Sequence, residues 1–198
     1  MTAETAVLGS SDGLSGALAD RLSAPVVRTG THPLPNVDAL VIVVGTEAEA
    51  APIITLDGNA WDRSVHALMW RTVQDLQRAH SSLRRPARVV LVTPTIGLAG
   101  ASRLVAYTTV IEGVRAMTKS VARQWVADNI SVNLIAAPLH LFVPELAASA
   151  AHLTAAAVEA DTSLVDSVAE TVKFLIRPDI DHLVGETIVV DGGSVMLP

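Results

Sequence analysis

The strongest constraint in this chain is the alternation of short apolar runs with long stretches whose apolar residues recur every three to four positions. Ala39–Val44 is an unbroken apolar block, and Ala87–Thr93 (ARVVLVT) and Ile130–Ile135 are nearly so. Runs this short, rich in β-branched residues and without a polar face, read as strands covered on both sides, as parallel strands flanked by helices are. Between them, Trp61–Leu83 spaces Trp61, Val65, Leu68, Met69, Val73, Leu76 and Ala79 by threes and fours. Leu104–Ala127 does the same with Tyr107, Val110, Ile111, Val114, Met117, Val121 and Trp125. Both are core-facing stripes of long helices. Only six of the 198 residues are aromatic, so Ala, Val, Leu and Ile must fill the interior.

The remaining segments complete an alternating pattern. Thr5–Leu8 reads as a strand, Gly9-Ser10-Ser11-Asp12-Gly13 as a turn, and Leu14–Leu22 as a helix. Pro25–Val27 is a second strand and Asp38–Gly45 a third. The ten Pro- and Gly-rich residues between them, Arg28–Val37, are too few for a helical crossover plus another strand. Pro144 opens an Ala-rich helix to about Ala160, and Ser163–Ile176 is a helix with Ser163 and Asp166 at capping-box spacing. Glu186–Val190 is the last strand, before Asp191-Gly192-Gly193. No repeat or linker divides the chain, so residues 1–198 are expected to form one domain. The pattern predicts an α/β fold: a Rossmann-like, doubly wound three-layer sandwich on a mostly parallel sheet of about six strands. The edge strand and helices that normally follow the second strand are missing.

Charge and residue usage exclude several functions. A formal net charge of −6 argues against a nucleic-acid partner. No cysteine is present, which removes disulfides, thiolate nucleophiles and cysteine-ligated metals. His66, His80, His140, His152 and His182 have no metal-ligand spacing, so no metal is expected. The N-terminal segment lacks a basic stretch and breaks at Gly9, which does not read as a signal peptide, and the longest pure apolar run is too short to span a bilayer. A cytoplasmic location without membrane contact is the expectation.

Four stretches in order resemble the short-chain dehydrogenase/reductase family, and together they cover nearly the whole chain. They are Gly9–Ser15, the segment from Ala106-Tyr107 through Gly113 to Ser120, Ile130-Ser131-Val132-Asn133, and Phe174-Leu175 through Gly185 to Asp191-Gly192-Gly193. The resemblance implies an NAD(P)-dependent oxidoreductase acting on a hydroxyl or carbonyl. In that family a tyrosine is the general acid/base, and a lysine four residues later, on the same helix face, lowers its pKa. A serine orients the carbonyl and an asparagine supports a water relay. Tyr107 stands at the tyrosine position, but the lysine position is Ile111, the serine position Pro94 and the asparagine position Leu68. Tyr107 is therefore expected to be a catalytic vestige. The one nearby substitute cation is Arg103, four residues earlier, and the flanking hydroxyls are Thr93 and Thr95.

The cofactor positions are altered too. Gly9, Ser11 and Gly13 keep the phosphate turn, but the third glycine is Ser15, and Asp12 adds a negative charge. The family's Asn-Asn-Ala-Gly reads Val43-Val44-Gly45-Thr46, and its Pro-Gly reads Ala137-Pro138. Arg28, after the second strand, is placed to meet a 2′-phosphate of NADP. No cofactor is expected, with NAD(P) the ligand if binding persists. The resulting expectation is a catalytically degenerate homologue serving as a structural or regulatory subunit. Its partner would be itself or a catalytically complete relative, met through residues 61–83, 104–127 and the C-terminal helix and strand. Trp70, Val110, Val114, Met117 and Trp125 exceed the needs of one core face. Two alternatives stand beside it: an active NAD(P)-dependent oxidoreductase with an atypical site, and a nucleotide- or ligand-sensing module without chemistry.

Overall fold

Six strands pair side by side, every pair parallel, in the order β2-β1-β3-β4-β5-β6. The structure, a computed structural model, describes residues 3–30, 34–153 and 163–196. The strands are β1 (Thr5–Leu8), β2 (Val26–Val27), β3 (Val37–Val43), β4 (Leu83–Pro94), β5 (Ile130–Ala137) and β6 (Thr187–Val189). The helices are α1 (Gly13–Leu22), α2 (Gly58–Trp61), α3 (Ala67–Ser82), α4 (Ile96–Ala99), α5 (Val105–Trp125) and α6 (Ser163–Leu175). This is the expected Rossmann-like α/β sheet. The two-residue β2 forms its edge, and the stretch between β2 and β3 carries no further strand among the described residues.

The register explains why the strand sequences are apolar throughout. Val41, Val90 and Val92 face one side with Ile135, against Leu14 and Leu18 of α1 and Val168 and Val172 of α6. In the alternate phase Leu40, Leu91 and Leu134 face Leu76 and Ala79 of α3 and Val114 and Ala122 of α5. Each such side chain, fully buried, contributes on the order of 1.5–3 kcal/mol. Between α1 and α6, Arg21 pairs with Asp166, so the acid read as half of a capping box serves a contact between helices.

Three expected elements differ. The long helix at Trp61 begins earlier, at Gly58, where the Asp57 carboxylate accepts the Ala60 N–H at 2.8 Å. It passes through a π-helical turn, Asp62–His66, before α3. The following strand starts at Leu83 and not Ala87, because Leu83 pairs with Val37 before the register slips to place Arg88 opposite Ala39. From Pro144 the backbone forms 3-10 turns to Ala150 and no α-helix. There Leu146 donates to Val143, three residues back, and the burial of Leu139, Phe142 and Val143 ties the segment to the sheet end. Residues 151–153 continue as a turn, and the rest of that expected helix, from 154 on, lies outside the described residues.

The family-like stretches have structural causes. Asn133 donates to the Leu183 carbonyl at 2.8 Å and accepts the Glu186 N–H at 3.0 Å, which feeds the chain into β6. The buried Asp191 accepts from the N–H groups of Gly193 and Val195 and from the Ser194 hydroxyl, a turn that requires the positive φ of Gly192 and Gly193. Val110, Val114 and Trp125 are core residues, and Met117 is half-buried. Trp70 alone of that set is exposed, at 59%. Among the described residues no helix is long and apolar enough to cross a membrane.

Candidate active site

At the carboxyl ends of β1 and β3, where an open parallel sheet places its ligands, a cleft of about 330 Å³ opens between two walls. One wall is the turn Gly9-Ser10-Ser11-Asp12 with Arg28 and Thr29, and the other is Leu68, Arg71, Thr72 and Asp75 of α3. The segment Val43–Glu47 lies between them. Gly9, Ser11 and Arg28 thus line one cleft. Gly13 instead opens α1 at a φ of +65° and does not line the cleft.

The turn is rebuilt around Ser15. A Cβ on Gly9 would lie 2.2 Å from Ser15 Oγ and 2.8 Å from Ser15 Cβ, so the serine fills the contact a third glycine leaves open. Its hydroxyl is fully buried with no hydrogen-bond partner. One residue on, Gly16 makes a separate close approach: a Cβ there would lie 2.1 Å from the Ser11 carbonyl oxygen.

Three of the four family catalytic positions, the retained Tyr107 and the substituted Pro94 and Ile111, converge on one glycine. Gly45, at a φ of +91°, is so enclosed that a Cβ would lie 2.8 Å from Ile111 Cδ1, 3.0 Å from the Tyr107 hydroxyl and 3.1 Å from Pro94 Cδ. The Tyr107 hydroxyl donates to the Gly45 carbonyl at 2.5 Å. Burial pushes the phenol well above its ordinary pKa. The fourth position, Leu68, lines both the cleft and a second hollow of about 250 Å³ that reaches Tyr107. The two hollows meet at Glu47, Leu68 and Arg71, and the Arg71 guanidinium spans to the Glu47 carboxylate at 3.3 and 3.4 Å.

Arg103 does not occupy the expected place. It precedes α5, at a φ of +67°, and its carbonyl accepts the Ala51 N–H. Helical i, i+4 spacing to Tyr107 therefore does not apply. Of the threonines, Thr95 is buried in a separate cavity of about 260 Å³ with Ile96, Pro138, Leu139, His140 and Ser194. His140 there is half-buried, and burial lowers its pKa. That cavity and the first cleft share no lining residue among those described.

Asp75 and Arg71 escaped the sequence reading. Asp75 is 3% exposed and meets Arg78 at 2.8 Å. Burial raises its carboxyl above the usual range, while Arg78 and a hydrogen bond from the Gly30 N–H act in the opposite direction. The acid thereby ties the shortened β2–β3 connection to α3. The one available signal was an acid flanked by Val73 and Leu76 on a stripe otherwise apolar.

A six-stranded parallel sheet, a glycine turn at the first helix and a tyrosine on the long helix after β4 define a dinucleotide-fold protein of the dehydrogenase class. Residues 21–195 match the family model described as enoyl-(acyl carrier protein) reductase, and the chain belongs to the short-chain dehydrogenase/reductase family. It is 29% identical over 164 residues to cis-4-hydroxycyclohexanecarboxylate dehydrogenase of Sinomonas cyclohexanicum. That match covers 80% of this chain and 66% of the relative, just under two thirds of its length. The fold resembles a crystal structure of a small-chain dehydrogenase in complex with NADPH, at 17% identity and a TM-score of 0.74, covering 96% of this chain and 97% of that one. It also resembles a short-chain oxidoreductase of Pseudomonas aeruginosa PAO1 that contains an atypical catalytic center, at 15% identity and a TM-score of 0.74, covering 98% and 97%.

Proposed function

We propose that this chain is a non-catalytic member of its family, a structural or regulatory subunit that assembles with itself or with a catalytically complete relative. The observation that carries the reading is the closure of Pro94, Tyr107 and Ile111 on Gly45. A general acid/base must titrate near the working pH and reach the reacting oxygen. Here the phenol is held protonated by burial and its proton is directed to a backbone carbonyl.

The test has two arms. Purified protein is assayed with NADH and NADPH against a panel of ketones, aldehydes and enoyl thioesters, and turnover lost in Tyr107→Phe overturns the reading. Tagged protein is then recovered from its own host and weighed as an intact assembly. A complete short-chain dehydrogenase in fixed stoichiometry, or a defined homo-oligomer, supports it; a lone monomer counts against the subunit role. The open cleft favours a second reading, a nucleotide-sensing module, which differs in requiring that a bound nucleotide alter the partner's activity.

A further inference from the structure

We infer that His80 is a proton-operated clasp at the amino ends of the strands: with a proton on Nε2 it holds Asp128 and the turn after α5, and with Nε2 bare it faces Arg85 and lets that turn go. Three elements meet at the ring. The last turn of α3 supplies His80, β4 supplies Arg85, and the 3-10 turn Val126–Asp128 supplies Asp128. His80 Nε2 lies 2.9 Å from Asp128 Oδ2 and 3.3 Å from a terminal nitrogen of Arg85. An ionised carboxylate can only accept a hydrogen bond, and a guanidinium can only donate one. One ring nitrogen therefore serves Asp128 while it is protonated and Arg85 while it is not.

The charge of the ring decides between them, and histidine is the side chain whose charge changes between about pH 5 and pH 8. The imidazolium donates to Asp128 in a charge-assisted bond and repels the guanidinium. Loss of one proton to solvent, which both half-exposed side chains meet, leaves two neutral forms. In the form that keeps the Nε2 proton, that N–H and the Arg85 N–H confront each other. In the form protonated at Nδ1, Nε2 accepts from Arg85 and its lone pair opposes the Asp128 carboxylate. Arg85 is held in place for this exchange. The same nitrogen donates to the His80 carbonyl at 3.0 Å, and its other terminal nitrogen donates to the Leu83 carbonyl at 3.2 Å. Of the neighbouring cations, Arg78 is engaged by Asp75, and Arg84 by Asp38 and Glu4. Arg123 of α5 lines a groove with Val184 and Glu186. On release the turn keeps its tie to β4, where Ala87 donates to the Asn129 carbonyl at 2.9 Å. The change is thereby confined to the turn and to the exposed Val126 that it carries. Trp125 reports it, because its buried indole lies 5.1 Å from the His80 ring, centroid to centroid.

The experiment is a titration of the full chain from about pH 5 to pH 8 in the Trp61→Phe/Trp70→Phe background, which leaves Trp125 as the sole tryptophan. Tryptophan emission is read together with the ring nitrogen signals of His80 and the amide signals of Ala127 and Asp128. One step is expected: emission is quenched by the imidazolium at low pH and recovers at high pH, and the two amides move at the same midpoint as the ring. Above the step the proton should reside on Nδ1. His80→Gln should abolish the emission step, and Arg85→Ala should keep the proton on Nε2 at about pH 8. Arg85 is an exposed side chain, so this second variant decides the matter even if His80→Gln fails to fold. A parent protein that keeps the Nε2 proton at the top of the range overturns the proposal. So do turn amides that do not follow the ring, an emission step that survives His80→Gln, or a ring that still gives up its Nε2 proton in Arg85→Ala. Absence of any step across the range overturns it too.

Discussion

The single tyrosine of this chain, Tyr107, donates its hydroxyl to the carbonyl of Gly45 at 2.5 Å, a residue 62 positions away in the sequence. The bond joins α5 to the segment that follows β3. It commits the phenol to its neutral form.

Because no other tyrosine contributes, absorbance at 295 nm titrates Tyr107 alone. Its folded pKa is raised by burial above the ordinary value near 10. The associated stability is fully present below about pH 10 and is lost as pH rises through the folded value. Native protein should show no tyrosinate up to about pH 11, and the signal should emerge with unfolding. In Ile111→Lys, which restores a cation four residues on, the midpoint should fall by about 1–3 units. An unmoved midpoint in a folded variant would show that the two side chains do not face each other.

Gly9 and Ser15 should behave as one site. Gly9→Ala brings a Cβ against the serine and should cost about 1–3 kcal/mol in urea unfolding. Ser15→Gly alone removes an unpartnered buried hydroxyl as well as the obstruction. The double variant should recover most of the loss, giving a coupling energy of about 1 kcal/mol or more. Additive single effects would refute the contact.

Asp75 carries a pH signature of opposite origin to the usual surface carboxylate. Its raised folded pKa means that its contribution is present below the ordinary carboxyl pKa near 4 and is lost as pH rises. Asp75→Asn removes that loss and keeps an acceptor for the Gly30 N–H. Relative to wild type, the variant should therefore gain stability between about pH 4 and pH 7, measured as urea midpoints at the two pH values. An advantage that shrinks with pH would mean that Arg78 dominates the site.

Trp70 is the exposed aromatic on α3 and sits on a segment expected to meet a partner. Buried aromatic anchors carry much of the energy of protein interfaces. Trp70→Glu should lower the assembly's mass in light scattering while leaving the urea midpoint of the chain within about 0.5 kcal/mol of wild type. An unchanged mass would place the contact elsewhere.

The residues that decide the fold were readable because their signals are local. Ala39–Val44 is a two-face-buried strand wherever it pairs, Asp191-Gly192-Gly193 needs only its own backbone to turn, and a ten-residue link after Val27 cannot hold a crossover. The substitutions at Pro94 and Ile111 were equally visible from their spacing to Tyr107, and that at Leu68 from the Trp61-Asp62-Arg63 start of its helix. What the sequence left undetermined depends on distance in space. The closing of Pro94, Tyr107 and Ile111 on Gly45 joins three separate elements, and no periodicity reveals that a glycine between them has no room for a Cβ. Asp75 reads as a polar position on a helix until β2 and β3 bring Gly30 beneath it. Arg103 reads as one helical turn from Tyr107 until the helix proves to begin at Val105. The chain thus specifies its sheet through local pattern and pairing, while the surroundings of Tyr107 are set by packing between segments that only the folded sheet brings together.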